Sequence, residues 1–137
     1  MNWITDDIAI GNYLEVQDSE LLKRESIASV LSLDATLQGK SPTDLGLKKI
    51  EIVSLQDSPG NDPRMFQWAV DALTRLRLEC APVLVQCHAG RSRSAVVVAG
   101  YLMKSLGIEA EEALAKIAVK RDINVTPGLE RLLDSIS

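Results

Sequence analysis

The fold of this chain is decided by the stretch Pro82-Val83-Leu84-Val85-Gln86-Cys87-His88-Ala89-Gly90-Arg91-Ser92-Arg93-Ser94. Residues 82–85 are apolar and mostly β-branched, which is typical of a buried strand. Residues 94–104 are too long and too apolar for a loop and predict a buried helix. The predicted order is therefore strand, tight loop and helix. The helix N-terminus would aim its free N–H groups and the positive end of its dipole at the loop.

The loop combines a thiol, an arginine and a hydroxyl at fixed spacing. Five residues separate Cys87 from Arg93, and Ser94 follows directly. Successive N–H groups in a tight turn form an anion-binding concavity, and Gly90 would supply a positive φ or a close approach to a ligand. A neighbouring arginine and a helix N-terminus stabilise a thiolate, the nucleophilic form of cysteine. These features predict a phosphate cradle with Cys87 as nucleophile and a substrate-binding segment formed by His88, Ala89, Gly90, Arg91 and Ser92.

Alternating strand and helix patterns cover the rest of the chain. Apolar runs predict strands at 8–10, 27–33, 49–55 and 82–85, and glycines and prolines predict loops at 35–47 and 56–62. Helical spacing predicts helices at 16–25, 63–80, 94–104 and 109–120, and a last one opening at Thr126-Pro127. This alternation predicts an α/β three-layer sandwich around a sheet of four to five mostly parallel strands, with the phosphate-binding loop between the central strand and a helix. The length of 137 residues predicts one domain, residues 1–137.

Composition excludes several classes of function. The net charge of −4 argues against a nucleic-acid partner. The longest apolar run, 95–103, is too short for stable membrane insertion, and the first residues lack the pattern of a signal peptide. Two cysteines make no disulfide framework, and a reactive thiolate suits a reducing compartment, so the expected location is the cytoplasm. Two cysteines and one histidine in this arrangement predict no zinc site.

A proton donor has to come from outside the loop, because a phosphoester oxygen leaves poorly without a proton. Asp57 follows the strand predicted at 49–55, and the carboxyl ends of neighbouring parallel strands meet at one edge of a sheet. We therefore predict Asp57 as the general acid. Asp62 is better explained as the N-cap of the next helix, and Asp34 ends a different strand. The side chain of His88 is expected to point outward.

Residues 85–94, continued by Gly100-Tyr101-Leu102-Met103, resemble the signature of dual-specificity phosphatases within the cysteine-based protein tyrosine phosphatase superfamily. Residues 8–12 and 27–33 resemble that family's first strands, and Asp57 stands where the family carries its acid. The resemblance implies a cofactor-free, metal-independent hydrolase of phosphorylated proteins, acting on phosphotyrosine, with phosphoserine and phosphothreonine as further candidates. It also implies a phosphocysteine on Cys87, phosphoryl binding by Arg93, acid and base roles for Asp57, and stabilisation of the leaving thiolate by Ser94.

Three positions depart from that family's pattern. Gln86 replaces the usual histidine and can donate a hydrogen bond without carrying charge. Arg91 replaces an apolar residue, and we expect either a solvated rim residue or a preference for polyanionic substrates such as phosphoinositides. Residues 125–128 stand in place of an asparagine-bearing segment, from which the sequence predicts nothing further.

Two other classes of function compete with hydrolysis. One is a non-catalytic phosphate-binding module. The other is a redox or sulfur-transfer enzyme, for which Cys80 would have to act as a second reactive thiol. Cys80 ends an apolar helix and is expected to be a core residue.

Overall fold

The computed structural model describes residues 1–136, and its centre is a five-stranded sheet. The strands are β1 (Asn2–Trp3), β2 (Ile8–Gly11), β3 (Ser29–Ser32), β4 (Lys49–Ile52) and β5 (Val83–Gln86). Their spatial order is β1-β2-β5-β3-β4, with β1 antiparallel to β2 and the other three pairs parallel. β5 therefore lies in the middle of the sheet, as predicted for the strand that leads into the cysteine.

Helices cover both faces of this sheet. They are α1 (Ser19–Arg24), α2 (Pro63–Glu79), α3 (Arg93–Leu106) and α4 (Ala110–Lys120), with 3₁₀ helices at Glu15–Gln17, Pro42–Leu45 and Leu129–Ser135. Alternate residues of each parallel strand point to opposite faces. Val83 and Val85 pack in the core cluster that includes α2, α3 and α4, whereas Leu84 packs in the cluster that includes Leu22 of α1. The three-layer α/β prediction is confirmed. No helix within residues 1–136 is long and apolar enough to cross a membrane.

The single helix predicted at 16–25 is wrong, because Asp18 interrupts it. Asp18 has an extended backbone and accepts a hydrogen bond at 3.1 Å from the N–H of Leu21, which makes it the N-cap of α1. The preceding turn is the 3₁₀ helix Glu15–Gln17. An aspartate that satisfies a free helical N–H starts a new helix rather than continuing the old one.

Strand boundaries also differ from prediction. β4 ends at Ile52 rather than residue 55, although Val53 and Leu55 remain buried and donate to the carbonyls of Ser32 and Leu33. Val53 bonds a residue 21 positions earlier and Leu55 bonds one 22 positions earlier. This change of register ends the regular hydrogen-bond ladder between β3 and β4. β3 is likewise shorter than the predicted 27–33, and the two-residue β1 was not predicted because it has no pattern of its own.

The predicted last helix is a 3₁₀ helix, Leu129–Ser135, and its N-cap is Gly128 with a φ of 91° rather than Thr126. The predicted loop 35–47 contains the 3₁₀ helix Pro42–Leu45. Thr126 uses its hydroxyl elsewhere, in the site described below. The helices predicted at 63–80, 94–104 and 109–120 are confirmed within one or two residues as α2, α3 and α4.

Gly100 brings α3 close to α2, the helix that carries the large buried ring of Phe66. A Cβ atom added to Gly100 would lie 2.9 Å from Cγ2 of Val70 and 3.1 Å from Cζ of Phe66. Both neighbours are fully buried and belong to the same core cluster. The absence of a side chain at Gly100 therefore allows α2 and α3 to approach as closely as they do.

We expect Gly100→Ala to destabilise the protein by about 1–2 kcal/mol, because overpacking a core costs about 1–3 kcal/mol and outweighs the gain of up to about 1 kcal/mol in helix propensity. Urea denaturation measures the change. Gly60→Ala is the control, since its added Cβ would approach only Ser58 Oγ, at 4.0 Å. A Gly100→Ala protein as stable as wild type would show that the helices can separate freely.

Candidate active site

The loop from Cys87 to Ser94, called here the cysteine loop, runs from the carboxyl end of β5 into the first turn of α3. Gly90 has a φ of 67°, and a Cβ atom there would lie 2.5 Å from the carbonyl oxygen of Gly11 at the end of β2. Both facts require glycine at position 90. Cys87 is only 2% exposed, so its thiol lies at the bottom of the loop.

The carbonyl groups of the cysteine loop are turned outward and are bound by other segments. The carbonyl of His88 accepts from the N–H of Tyr13 at 3.0 Å, and that of Arg91 accepts from the N–H of Asn124 at 2.9 Å. The carbonyl of Gly90 accepts from Nε of Arg121 at 2.6 Å. Within residues 1–136, the N–H groups of residues 88–92 donate no hydrogen bond to another part of the chain. A loop with its carbonyls fixed outside and its N–H groups free is suited to an anion.

The thiol of Cys87 has two polar neighbours on α3, both from Ser94. The hydroxyl oxygen of Ser94 lies 3.3 Å from Sγ, and the Ser94 N–H donates to Sγ at 3.5 Å. Ser94 is fully buried. The N–H is a donor to the sulfur and the hydroxyl is able to be a second one, an arrangement that suits a thiolate.

The guanidinium of Arg93 is held by a hydrogen bond from only one of its nitrogen atoms within residues 1–136. Its Nη1 donates to the carbonyl of Leu55 at 3.0 Å. Its Nε is buried and has no hydrogen-bond partner within residues 1–136. An unpaired buried N–H is costly, and the planar fork of arginine matches two oxygens of a phosphoryl group.

Asp57 lies against the cysteine loop, although it is 30 residues away in sequence. Its Oδ1 accepts hydrogen bonds from the hydroxyls of Ser92, at 2.7 Å, and Thr126, at 2.8 Å. The structure thus brings Asp57, Cys87, Arg93 and Ser94 to one edge of the sheet. Asp62 does not join them: it accepts from the N–H of Arg64 and caps α2, as predicted.

Comparison with known proteins assigns this architecture to a family. Residues 8–134 match the model of the dual specificity phosphatase catalytic domain. The chain belongs to this family. Mouse dual specificity protein phosphatase 22 is 30% identical over 134 residues, which cover 97% of this chain and 71% of that protein. Dual specificity protein phosphatase 1 of Arabidopsis thaliana is 28% identical over 120 residues, and the match spans 88% of this chain and 60% of that protein. The crystal structure of human DUSP28 shares the fold, with a TM-score of 0.84 at 22% identity and coverage of 99% and 94% of the two chains.

In this member of the dual specificity phosphatase family, the amide of Gln86 points away from the thiol and binds Asp34. Its Nε2 donates to both carboxylate oxygens of Asp34, at 3.2 and 3.1 Å, and its Oε1 accepts from the hydroxyl of Ser32. Burial alone would raise the pKa of Asp34. Hydrogen bonds from Thr36 and Gln86 and the charge of Arg93 outweigh burial and hold the pKa of Asp34 below its usual value. Asp34, which the sequence placed on a different strand, is therefore a carboxylate close enough to Arg93 to feel its charge.

The rim of this phosphatase-family site is formed by Arg91 and His88. Arg91 is half-exposed and pairs with Asp122 at 2.9 Å. The ring of His88 points outward, as expected, and stacks on Tyr13 with centroids 4.3 Å apart and planes 5° from parallel. Neither partner, Asp122 or Tyr13, was predicted from the sequence, because each lies in a segment without a recognisable motif.

No motif in the sequence marks Arg121 as a functional residue. It follows α4 and lies 31 residues after Gly90. Its side chain makes other hydrogen bonds besides the one from Nε to the carbonyl of Gly90. Its Nη1 donates to Oδ1 of Asn2 at 2.8 Å and to the carbonyl of Ile10 at 3.3 Å. Burial lowers the pKa of Arg121, and the neighbouring Cys87 opposes that shift. Arg121 therefore ties the cysteine loop to β1 and β2 and adds positive charge behind it.

We expect Arg121→Met to weaken binding of inorganic phosphate by roughly 10-fold or more, because the carbonyls of Gly90, Ala89 and Ile10 lose a charged donor. Hydrogen bonds to charged groups are worth about 1.5–3 kcal/mol. Isothermal titration calorimetry on the full chain measures the affinity. Arg131→Met removes the same charge from an exposed position and is the control. Equal affinity in both variants would show that the loop holds its shape without Arg121.

Proposed function

We propose that this chain is a metal-independent phosphomonoester hydrolase, a dual-specificity protein phosphatase that works through a phosphocysteine on Cys87. Residues 1–137 would form one catalytic domain. Its substrates would be phosphorylated proteins, at phosphotyrosine and also at phosphoserine or phosphothreonine. A thiolate nucleophile needs a reducing environment, and we place the activity in the cytoplasm on that chemical ground.

One observation carries the proposal: the cysteine loop, with the buried thiol of Cys87 at its start, carries several hydrogen-bond donors that lack an acceptor. The N–H groups of residues 88–92 and the buried Nε of Arg93 have no acceptor within residues 1–136. A phosphoryl group supplies three acceptor oxygens at the distance at which sulfur can reach phosphorus. Stabilisation of the transferring group by preorganised donors is the main task in phosphoryl transfer.

In the first step the Cys87 thiolate attacks phosphorus, and an S–P bond forms as the P–O bond to the leaving group breaks. Arg93 and the loop N–H groups hold the equatorial oxygens. Asp57 gives its proton to the leaving oxygen, so that an alcohol or a phenol departs rather than an anion.

In the second step a water molecule attacks the phosphocysteine. Asp57, now a carboxylate, takes one proton from that water, and the S–P bond breaks as inorganic phosphate forms. The electron pair returns to sulfur, where the hydroxyl and the N–H of Ser94 stabilise the thiolate.

The competing classes are less well supported. A binding module has no need for a buried thiol with two donors from Ser94 or for a carboxylate held at the loop. A redox enzyme would need a second thiol beside Cys87. The sulfur of Cys80 instead lies 3.9 Å from the carbonyl oxygen of Ala28, at the C-terminus of α2.

We expect Cys87→Ser to abolish hydrolysis of a phosphotyrosine peptide in excess chelator, because serine cannot form the phosphocysteine at this site. Asp57→Asn should lower kcat by about 10²–10⁴-fold, the usual contribution of a general acid. Phosphate release by the purified full chain measures both effects.

Matched controls are Cys80→Ser and Asp62→Asn, which change the same residue types outside the site and should keep wild-type rates. Activity that survives in Cys87→Ser would refute the phosphocysteine. A folded wild type that hydrolyses no phosphoester but binds phosphate would favour the binding module.

Arg91 supports a second candidate function, a phosphoinositide phosphatase of the same mechanism. Its guanidinium lies on the rim, where an additional phosphate group could reach it. Asp122 already pairs with that guanidinium, and the pair is exposed, which favours phosphoproteins as substrates.

We expect Arg91→Glu to change kcat/KM for a phosphotyrosine peptide and for a soluble phosphoinositide by similar factors, about 5-fold or less, since exposed ion pairs are worth about 0–1 kcal/mol. Arg64→Glu, an exposed charge reversal on α2, controls for net charge. A loss confined to the phosphoinositide would favour the second candidate.

A further inference from the structure

Asp57 is bound by two hydroxyls that come from different segments. Ser92 belongs to the cysteine loop, and Thr126 lies between α4 and the last 3₁₀ helix. Both hydroxyl oxygens lie within 2.8 Å of the same carboxylate atom, Oδ1. Asp57 is itself exposed, so without these bonds its side chain would turn freely in solvent.

The direction of the hydrogen bond from Ser92 follows from its other partner. The backbone N–H of Thr126 donates to the hydroxyl oxygen of Ser92 at 2.9 Å. The Ser92 hydroxyl therefore accepts from Thr126 and uses its single hydrogen for Asp57. The hydroxyl of Thr126 lies 3.3 Å from that of Ser92 but 2.8 Å from Asp57, and its hydrogen is directed to the shorter contact.

Two donors on Oδ1 leave Oδ2 as the atom that carries the proton. A neutral carboxyl group has one protonated oxygen, and an oxygen that already accepts two hydrogen bonds is the poorer place for it. Within residues 1–136, no hydrogen bond reaches Oδ2 of Asp57. The acid is thus fixed by one oxygen and has the other free for the substrate.

A second contact also joins residues 126–128 to the loop that carries Asp57. Gly128 has a φ of 91°, and a Cβ atom there would lie 3.0 Å from Cβ of Pro59, two residues after Asp57. Residues 126–128 therefore pack under this loop at Pro59 and bind it at Asp57. Residues 57–59 are therefore held both by a side-chain hydrogen bond and by close packing against the backbone of Gly128.

We infer that Thr126 is a positioning residue for proton transfer: with Ser92 it binds Oδ1 of Asp57 and directs Oδ2 to the leaving oxygen of the substrate. This inference rests on the proposed function and assigns a role to a residue outside the cysteine loop. Thr126 does not touch the phosphoryl group. Its effect should therefore depend on how much the leaving group needs a proton.

The test compares two substrates with the same phosphoryl group, 4-nitrophenyl phosphate with a good leaving group and phenyl phosphate with a poor one. Thr126→Val keeps the shape of the side chain and removes the hydroxyl. It should lower kcat for phenyl phosphate by about 10–100-fold, part of the contribution of a general acid, and for 4-nitrophenyl phosphate by about 3-fold or less. KM should stay within about 2-fold for both substrates, because binding of the phosphoryl group is unchanged.

Three further variants keep the inference falsifiable. Thr126→Ser restores the hydroxyl and should recover the rate on phenyl phosphate to within about 3-fold of wild type. In an Asp57→Asn background, Thr126→Val should add no further loss, because it acts through Asp57. Thr43→Val, in the 3₁₀ helix Pro42–Leu45, is the matched control and should behave as wild type.

Equal losses on both substrates, or additive losses in the Asp57→Asn background, would overturn the inference and indicate a merely structural role. A wild-type rate for Thr126→Val on phenyl phosphate, with Asp57→Asn impaired, would overturn the inference and leave the proposed function intact. The proposed function itself fails if Asp57→Asn matches wild type on phenyl phosphate or if Cys87→Ser remains active.

Discussion

The carbonyl groups of the cysteine loop must point away from the ligand if its N–H groups are to point toward it. Carbonyl groups that point away from the ligand need hydrogen-bond donors from elsewhere in the protein. The N–H groups of Tyr13 and Asn124 and the guanidinium of Arg121 bind them. Tyr13 follows β2, whereas Arg121 and Asn124 both follow α4, so the shape of the cysteine loop depends on two segments that are distant in sequence.

Parallel pairing explains why segments from several strands meet at the cysteine loop. β5 lies between β2 and β3, and the carboxyl ends of all three strands lie at the same edge. The segment after β2 supplies Tyr13, and the segment after β3 supplies Asp34. The continuation of β4 supplies Asp57 and the Leu55 carbonyl that holds Arg93. The site is therefore assembled from consecutive strand ends, and α4 adds Arg121 from outside the sheet.

Apolar runs and helical spacing in the sequence predicted the strands and helices that bury large faces. Hydrogen bonds of single polar side chains decided where several of these elements begin and end. Val83, Leu84 and Val85 alternate between two cores, so both the strand and its central place followed from the pattern. Asp18 caps α1 with its side chain instead of continuing the helix predicted at 16–25, and Thr126 donates its hydroxyl to Asp57 instead of capping the last helix. Spacing along the chain identified Cys87, Arg93 and Asp57 as candidates that the fold brings together. It had no signal for Arg121, whose contacts exist only after three distant segments have packed.

The arginines of the cysteine loop are positive charges in a chain that is acidic as a whole. The chain has a net charge of −4, and Asp122 pairs with Arg91 on the rim. Asp34 places a carboxylate near Arg93, but hydrogen bonds from Thr36 and from the Gln86 amide already hold it. The Gln86 amide thus donates to Asp34 rather than to the sulfur of Cys87. The polar groups that contact the sulfur are the hydroxyl and the N–H of Ser94, at 3.3 and 3.5 Å. The neutral amide of Gln86 therefore serves Asp34, a half-buried carboxylate whose pKa is held below its usual value, while the sulfur of Cys87 is contacted by polar groups of Ser94 on α3.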